Sequence, residues 1–461
     1  MRLRPDQLAT DSLLSEPWGL QATHILRAAL LAVDPAESVH RHLKRQGNQL
    51  DLDGNYFDLT RYRKVILVGA GKAGTPMARA VIECLEGHLI GGLVIVKEGY
   101  AESGEDLAAK GVTIFEAGHP FPDERGRLGT RRILEVLHEV SSEDLVVCVI
   151  SGGGSALMHA LAPGVSLEDM QRLTGLMLSA GADIQEINSL RKHLDQIKGG
   201  GLARAAAPAE VITLILSDVV GDPLDVIASG PTVPDRSSFQ DAWTVLERYD
   251  LLDRVPASIH EHLERGVRGE IPETPKDGEN IFRKVTHCLV GSNQQAAEAA
   301  LRAGCELGFE GMLLTTRLQG EARARGRALG ALLRQLVNAR QADLLTRPIC
   351  LVAGGETTVT ITGSGKGGRN QEVALGAVAE LAGLDGVGLV TLATDGGDGP
   401  TDAAGAVVTG NTLKRALSIG MDPQDYLLRN DSYHFFDDLG DLIKTGPTQT
   451  NVNDLTFLFC T

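Results

Sequence analysis

The sequence predicts an α/β protein of two domains, each built on a largely parallel, Rossmann-like sheet. Three observations carry this reading. From residue 64 onward, short apolar runs alternate with helical patterns, the rhythm of a parallel sheet covered on both faces. Glycine-rich loops follow several of those runs, and ligands in open α/β sheets gather at the carboxyl ends of the strands. The chain has 461 residues, more than a single hydrophobic core ordinarily organises.

Taken in order, residues 18–33 carry apolar positions at helical spacing, and a short helix fits residues 35–43. Residues 50–59 alternate around Asp53-Gly54, a hairpin signal. Strands are expected at 64–68, 92–96, 112–116, 144–150 and 210–216, with helices between them. Residues 238–280 read as helical and then polar with Gly and Pro, a connecting segment. A second alternation starts near Phe282, with strands at 285–290, 311–314, 348–353, 387–393 and 454–460 and a threonine-rich strand at 357–362. Its helices fall at 293–307, at 320–338 and from about 370 to Leu381. The expected division is an N-terminal domain at 1–240, a connection at 241–280 and a C-terminal domain at 281–461.

Composition narrows the class. A net charge of -16 argues against nucleic-acid or anionic-membrane partners, which require basic surface. No apolar run approaches the roughly 20 residues of a membrane span, and the N-terminus has no secretory pattern. Six cysteines without framework spacing read as free thiols in a reducing compartment. Cytoplasm is the default expectation.

The first strand runs into glycines at 69, 71 and 74, matching G-x-G-x-x-G. Glycine lets the backbone turn sharply and leaves its amides open to an anion at a helix N-terminus. Two features oppose a dinucleotide. The next strand ends at Lys97 with Glu98 beyond it, where a ribose-binding carboxylate belongs at the strand end. Lys72 lies inside the loop, where the helix dipole disfavours it; an ammonium among open amides suits a phosphoryl or carboxylate group. The alternative is a plain turn with a solvent-facing lysine. A second cradle follows the fourth strand: Ser151, Gly152, Gly153, Gly154 and Ser155. Ser155 lacks the closing glycine of a nucleophile elbow. The loop after the fifth strand carries Asp218, Asp222 and Asp225.

In the second half, Gly363 to Glu372 places Lys366 and Arg369 in a glycine-rich run before a helix, offering a planar fork to phosphate or carboxylate oxygens. Solvated side chains on a flexible loop are the alternative. Asp395, Asp398 and Asp402 cluster among glycines; hard oxygen ligands suit Mg²⁺, while turn-forming or helix-capping aspartates are the competing explanation. His119, in G-H-P-F-P-D, is either an acid–base group or a brace for its loop.

Read together, V-G-A-G-K-A-G, A-G-H-P-F-P-D, I-S-G-G-G-S-A-L, I-N-S-L-R-K-H-L-D-Q-I-K-G-G-G-L-A, L-S-D-V-V-G-D, I-A-S-G-P-T, G-G-E-T-T-V, G-K-G-G-R-N-Q-E and T-D-G-G-D-G-P-T-D-A-A-G closely resemble glycerate 2-kinases of the MOFRL class. The resemblance runs from about residue 18 to the C-terminus. It implies two α/β domains with an active site in the cleft between them, and transfer of the ATP γ-phosphoryl group to the 2-hydroxyl of D-glycerate with Mg²⁺. It also implies catalytic roles for Lys72 and Arg369, which match the family's essential lysine and arginine. The two glycine loops and Lys366 would bind phosphate or substrate; Asp218, Asp222, Asp395 or Asp398 would hold metal or act as general base. Substrates are then D-glycerate and ATP, with the protein a monomer or homodimer. An NAD(P)H-dependent hydroxypyruvate reductase is the alternative, since relatives have carried that label and the glycine spacing fits it.

Overall fold

The computed structural model describes residues 4–101 and 107–461. The chain divides into two compact units, one spanning Pro35–Val290 and the other joining the N-terminal segment up to Asp34 with Gly291–Thr461. This differs from the division expected at 240 and 281. Residues 19–32 form a helix that packs on the helix Asn293–Glu306, and Trp18 stacks on Phe459 with ring centroids 5.1 Å apart. Residues 241–280 are not a linker either. The helices Phe239–Arg248 and Ala257–Val267 bury Phe239, Leu246, Ile259 and Leu263 against Leu173, Met177 and Leu190. Their polar outer faces give the segment its loop-like composition, while the apolar stripes make a core of their own.

The first unit opens with a helix, Pro35–His42, and a three-stranded antiparallel ribbon: β1 (Leu43–Gln46), β2 (Gln49–Leu52) and β3 (Asn55–Asp58). Its main sheet has β4 (Lys64–Ala70), β5 (Leu89–Lys97), β6 (Val112–Ala117), β7 (Asp144–Ile150), β8 (Glu210–Leu216) and β9 (Val285–Gly291). The order is β6-β5-β4-β7-β8-β9, and the pairs among β4 to β8 are parallel. Counted from β4, this is the doubly wound order 3-2-1-4-5-6, whose switch point lies between β4 and β7. Both strands are buried nearly end to end, which is why they read as unbroken apolar runs. The strand at 285–290, expected to open the second domain, instead closes the first sheet beside β8.

The second unit has β10 (Glu310–Leu318), β11 (Ile349–Gly355), β12 (Val387–Ala393), β13 (Gly405–Thr409), β14 (Leu442–Ile443) and β15 (Asp454–Cys460). Their order is β10-β11-β15-β12-β13-β14. Only β10 and β11 pair in parallel; β15 runs antiparallel to both β11 and β12, and β13 is antiparallel to β12 and β14. The sheet is therefore mixed, a correction to the parallel sheet expected here. The threonine-rich stretch at 357–362 forms one isolated bridge, Thr358 to Glu321, and no strand. Among its threonines, Thr360 and Thr362 donate to Glu321 and Asn430, so their hydroxyls and amides serve loop contacts, not a ladder. Phe435, Phe436, Phe457 and Phe459 are fully buried in this unit, each contributing about 1.5–3 kcal/mol of apolar burial.

Candidate functional site

At the switch point of the first sheet, the two glycine loops are bonded to each other. The Ser151 amide donates to the Ala70 carbonyl at 3.1 Å, the Lys72 amide to the Gly152 carbonyl at 2.8 Å, and the Ala73 amide to Ser151 Oγ at 3.0 Å. A side chain at Gly71 would collide with Ser151, and Gly71 has φ 143°, so no other residue brings the loops this close. Gly69 packs likewise on Val149, Gly74 on Val94 and Val96, and Gly154 on Ala228.

Around this weld stand three chemically active side chains. Gly153 has φ 84°, and its missing side chain leaves room for the His119 ring and the Lys72 stem. Gly152 does the same for the Asp218 carboxylate. Lys72, His119 and Asp218, from the loops after β4, β6 and β8, therefore meet over Gly152-Gly153. Among the described residues the Lys72 ammonium has no acceptor. Burial, with the positive charges of Lys72 and Lys97, pushes His119 down to about 4; it stays neutral at neutral pH and acts as a hydrogen-bonding group, not a cation. Asp222 lies in the turn beyond Asp218 with φ 54°, its amide on the Val219 carbonyl.

Beyond Gly154 the second loop continues into another network. Ser155 Oγ lies 2.9 Å from Ser229 Oγ, which donates to Asn188 Oδ1 at 3.2 Å. The partner of Ser155 is a hydroxyl, not an imidazole, so it is not set up as a nucleophile. Lys198 Nζ donates to the Ser155 and Met158 carbonyls and to Asp195. Ala228 and Ser229 have φ of 50° and 60°; consecutive left-handed non-glycine residues cost of order 1–3 kcal/mol each and cluster at ligand sites. The sequence pointed to this loop through I-A-S-G-P-T, but not to Asn188 or Ser229 as its partners.

The candidate residues of the second unit gather at the start of the helix Arg369–Leu381. Arg369 is clamped: Nε and Nη2 donate to the two oxygens of Asp454 at 2.5 and 3.2 Å, and Nη1 donates to Glu356 at 2.6 Å. Burial opposes its charge, but Asp454, Glu356 and Asp398 override it and raise the pKa. Neither Glu356 nor Asp454 was singled out from sequence; Glu356 stood within G-G-E-T-T-V.

Asp398 takes the helix-capping alternative. Its oxygens accept from the Asn370 and Gln371 amides at 3.1 and 2.9 Å, and burial pushes its pKa up to about 7. Both oxygens are thus engaged by helix amides, the contacts of a capping aspartate. Asp395 is half-buried, one oxygen accepting from Gly397 at 3.1 Å. Asp402 pairs with Tyr433 and Lys444. Lys366 lies 3.9 Å over the Tyr433 ring, so its charge rests on an aromatic face.

No helix among the described residues is long and apolar enough to cross a membrane. Residues 21–264 match a domain of unknown function, DUF4147, and residues 349–454 match the MOFRL family. The chain is 42% identical over 434 residues to the glycerate 2-kinase of Pyrococcus horikoshii, covering 94% of this chain and 95% of that protein. It is 43% identical over 434 residues to the D-glycerate 2-kinase of Thermotoga maritima, covering 94% and 96%. A relative from Agrobacterium vitis, 40% identical over 395 residues and covering 85% and 86%, is named hydroxypyruvate reductase. A crystal structure of the glycerate kinase from Thermotoga maritima aligns with a TM-score of 0.84 at 40% identity, covering 96% of this chain and 100% of that one.

Proposed function

The chain belongs to the glycerate kinase family that pairs a DUF4147 domain with a MOFRL domain, and from that premise we infer that it is a glycerate 2-kinase. It transfers the γ-phosphoryl group of ATP to the 2-hydroxyl of D-glycerate, giving 2-phosphoglycerate and ADP. The observation that carries this is the ammonium of Lys72, without an acceptor among the described residues, beside two interlocked glycine loops at the switch point.

Phosphoryl transfer asks a protein for positioning and charge stabilisation. Lys72 and the amides of Gly69–Gly74 and Ser151–Ser155 would bind anionic oxygens of nucleotide and acid. Asp218, beside Gly152, would accept the proton of the attacking hydroxyl. Arg369, oriented by Asp454 and Glu356, would take the catalytic role that its match to the family's arginine implies. Asp395 fits Mg²⁺ through its half-buried carboxylate among glycines; the metal would neutralise phosphate charge. Asp218, in the loop after β8, is the alternative carboxylate for that role.

The hydroxypyruvate reductase reading rests on the name of one relative and on the glycine spacing. Against it, β5 ends at Lys97, and Glu98, one residue beyond the strand end, is paired with Arg125 at 2.9 Å. Phosphorus NMR on protein, Mg-ATP and D-glycerate separates the two. A 2-phosphoglycerate signal growing with ADP supports the kinase; intact ATP with NADH or NADPH consumed by hydroxypyruvate would overturn it.

A further inference from the structure

The run from Asp183 to Lys198 contains seven charged or ionisable side chains, and six of them are partnered within this unit. Asp183 caps its own helix, and Glu186 accepts from Tyr249 at 2.7 Å. Lys192 donates to Asp235 at 3.2 Å and His193 meets Glu273 at 3.1 Å. Asp195 and Lys198 bond each other at 3.1 Å. Arg191 is the exception: among the described residues no acceptor meets its guanidinium. It is half-buried, and burial lowers its pKa. A guanidinium does not discharge in a protein, so a position that strips water from it and supplies no acceptor costs stability.

Two observations place it beside the second glycine loop. On the helix Ile184–His193, Arg191 follows Asn188 by three residues and shares its face; Asn188 bonds Ser229, which bonds Ser155. From the other side, Lys198 donates to the Ser155 carbonyl, and its pKa is lowered first by burial, with the Arg191 charge contributing. The glycine loop thus has two ends. Gly152 and Gly153 face Lys72, His119 and Asp218; Ser155 faces Ser229, Asn188 and the helix that carries Arg191.

We propose that Arg191 binds the carboxylate of the hydroxy-acid substrate. The proposal rests on the glycerate kinase reading and deepens it. In D-glycerate the carboxyl carbon is bonded directly to C2, whose hydroxyl receives the phosphoryl group, so a carboxylate subsite has to adjoin the phosphoryl subsite. The two ends of one short loop meet that requirement. A planar, weakly hydrated guanidinium matches a carboxylate bidentately and tolerates burial better than an ammonium. Held there, the acid presents its 2-hydroxyl in preference to the 3-hydroxyl.

Kinetics of Arg191→Gln and Arg191→Lys with D-glycerate and with the uncharged glyceramide test this. KM for D-glycerate should rise about 100-fold in Arg191→Gln, as expected for losing a charged hydrogen-bonding partner. KM for Mg-ATP should hold, and the preference for D-glycerate over glyceramide should collapse, with Arg191→Lys intermediate. Equal losses on both acceptors, an unchanged KM for D-glycerate, or a rise in KM for Mg-ATP instead would overturn it; the last would put a nucleotide phosphate on Arg191. Should Arg191→Gln not fold, Arg191→Lys is held to the same criterion. Calorimetric titration of D-glycerate into wild type and variant, without nucleotide, decides the point even if no 2-phosphoglycerate forms: tighter binding by wild type sustains the carboxylate site, and equal binding removes it.

Discussion

Lys72 and Arg369 are the two cations on which the family's chemistry is expected to rest, and their surroundings are opposites. Lys72 stands on a glycine turn with no acceptor among the described residues, and its charge is strong enough to help hold His119 neutral. Arg369 faces Asp454 and Glu356 directly, with Asp398 close enough to act on its charge. On the proposed reading the first site takes an anion. The second is rigid and already neutralised, so an anion that approaches it must displace a carboxylate or arrive with a cation. An open charge and a preorganised charge look alike in a glycine-rich sequence, and only their partners separate them.

The contrast can be broken most directly with Arg369→Ala. Removing the guanidinium leaves the buried Asp454 unpaired, which should cost about 3–5 kcal/mol of stability as well as activity; denaturant titration alongside turnover measures both. Lys72→Ala should lower turnover about 10³-fold, the scale of losing one stabilising donor, while its denaturation midpoint stays within experimental scatter of wild type. Equal stability losses in the two variants would erase the distinction.

How far the sequence alone reaches is visible in the same residues. The strands β4, β7 and β8 were legible to within two residues, because each is an unbroken apolar run ending at a loop. The glycine turn that carries Lys72 was legible as well, since it is local: a side chain at Gly71 would close it. The setting of Arg369 was not. Glu356 lies 13 residues away and Asp454 85 residues away, and no local periodicity reports such pairs. The same limit moved residues 285–290 into the first sheet and hid the antiparallel place of β15, while β14, with two residues, was too short to stand out. The capping role of Asp398 was only one of two readings until its oxygens were seen on the amides of Asn370 and Gln371.

Asp398 sharpens the comparison at a smaller scale. Asp398→Ala should cost about 1–3 kcal/mol by leaving two helix amides unsatisfied. Its pKa is raised on folding to about 7, so its contribution is full below the ordinary carboxyl range and is lost as pH rises towards 7. The stability of wild type relative to Asp398→Asn should therefore fall between about pH 4 and 7, read from denaturation midpoints across that range. The smallest effect concerns His119. If Lys72 lends its charge to this corner, Lys72→Met should raise the His119 pKa from about 4 by less than about one unit, measurable by NMR titration of the imidazole.

β15 is the last strand of the chain, yet it lies in the middle of its sheet, between β11 and β12, and its first residue is the one that grips Arg369. A ribosome making this protein therefore releases the central plank of the second unit after both of its neighbours, β11 and β12. Until Asp454–Cys460 clears the exit tunnel, β11 and β12 have no partner between them and Arg369 lacks its main anchor. A nascent chain truncated by a premature stop anywhere before Asp454 would carry Arg369 without the carboxylate that aims it.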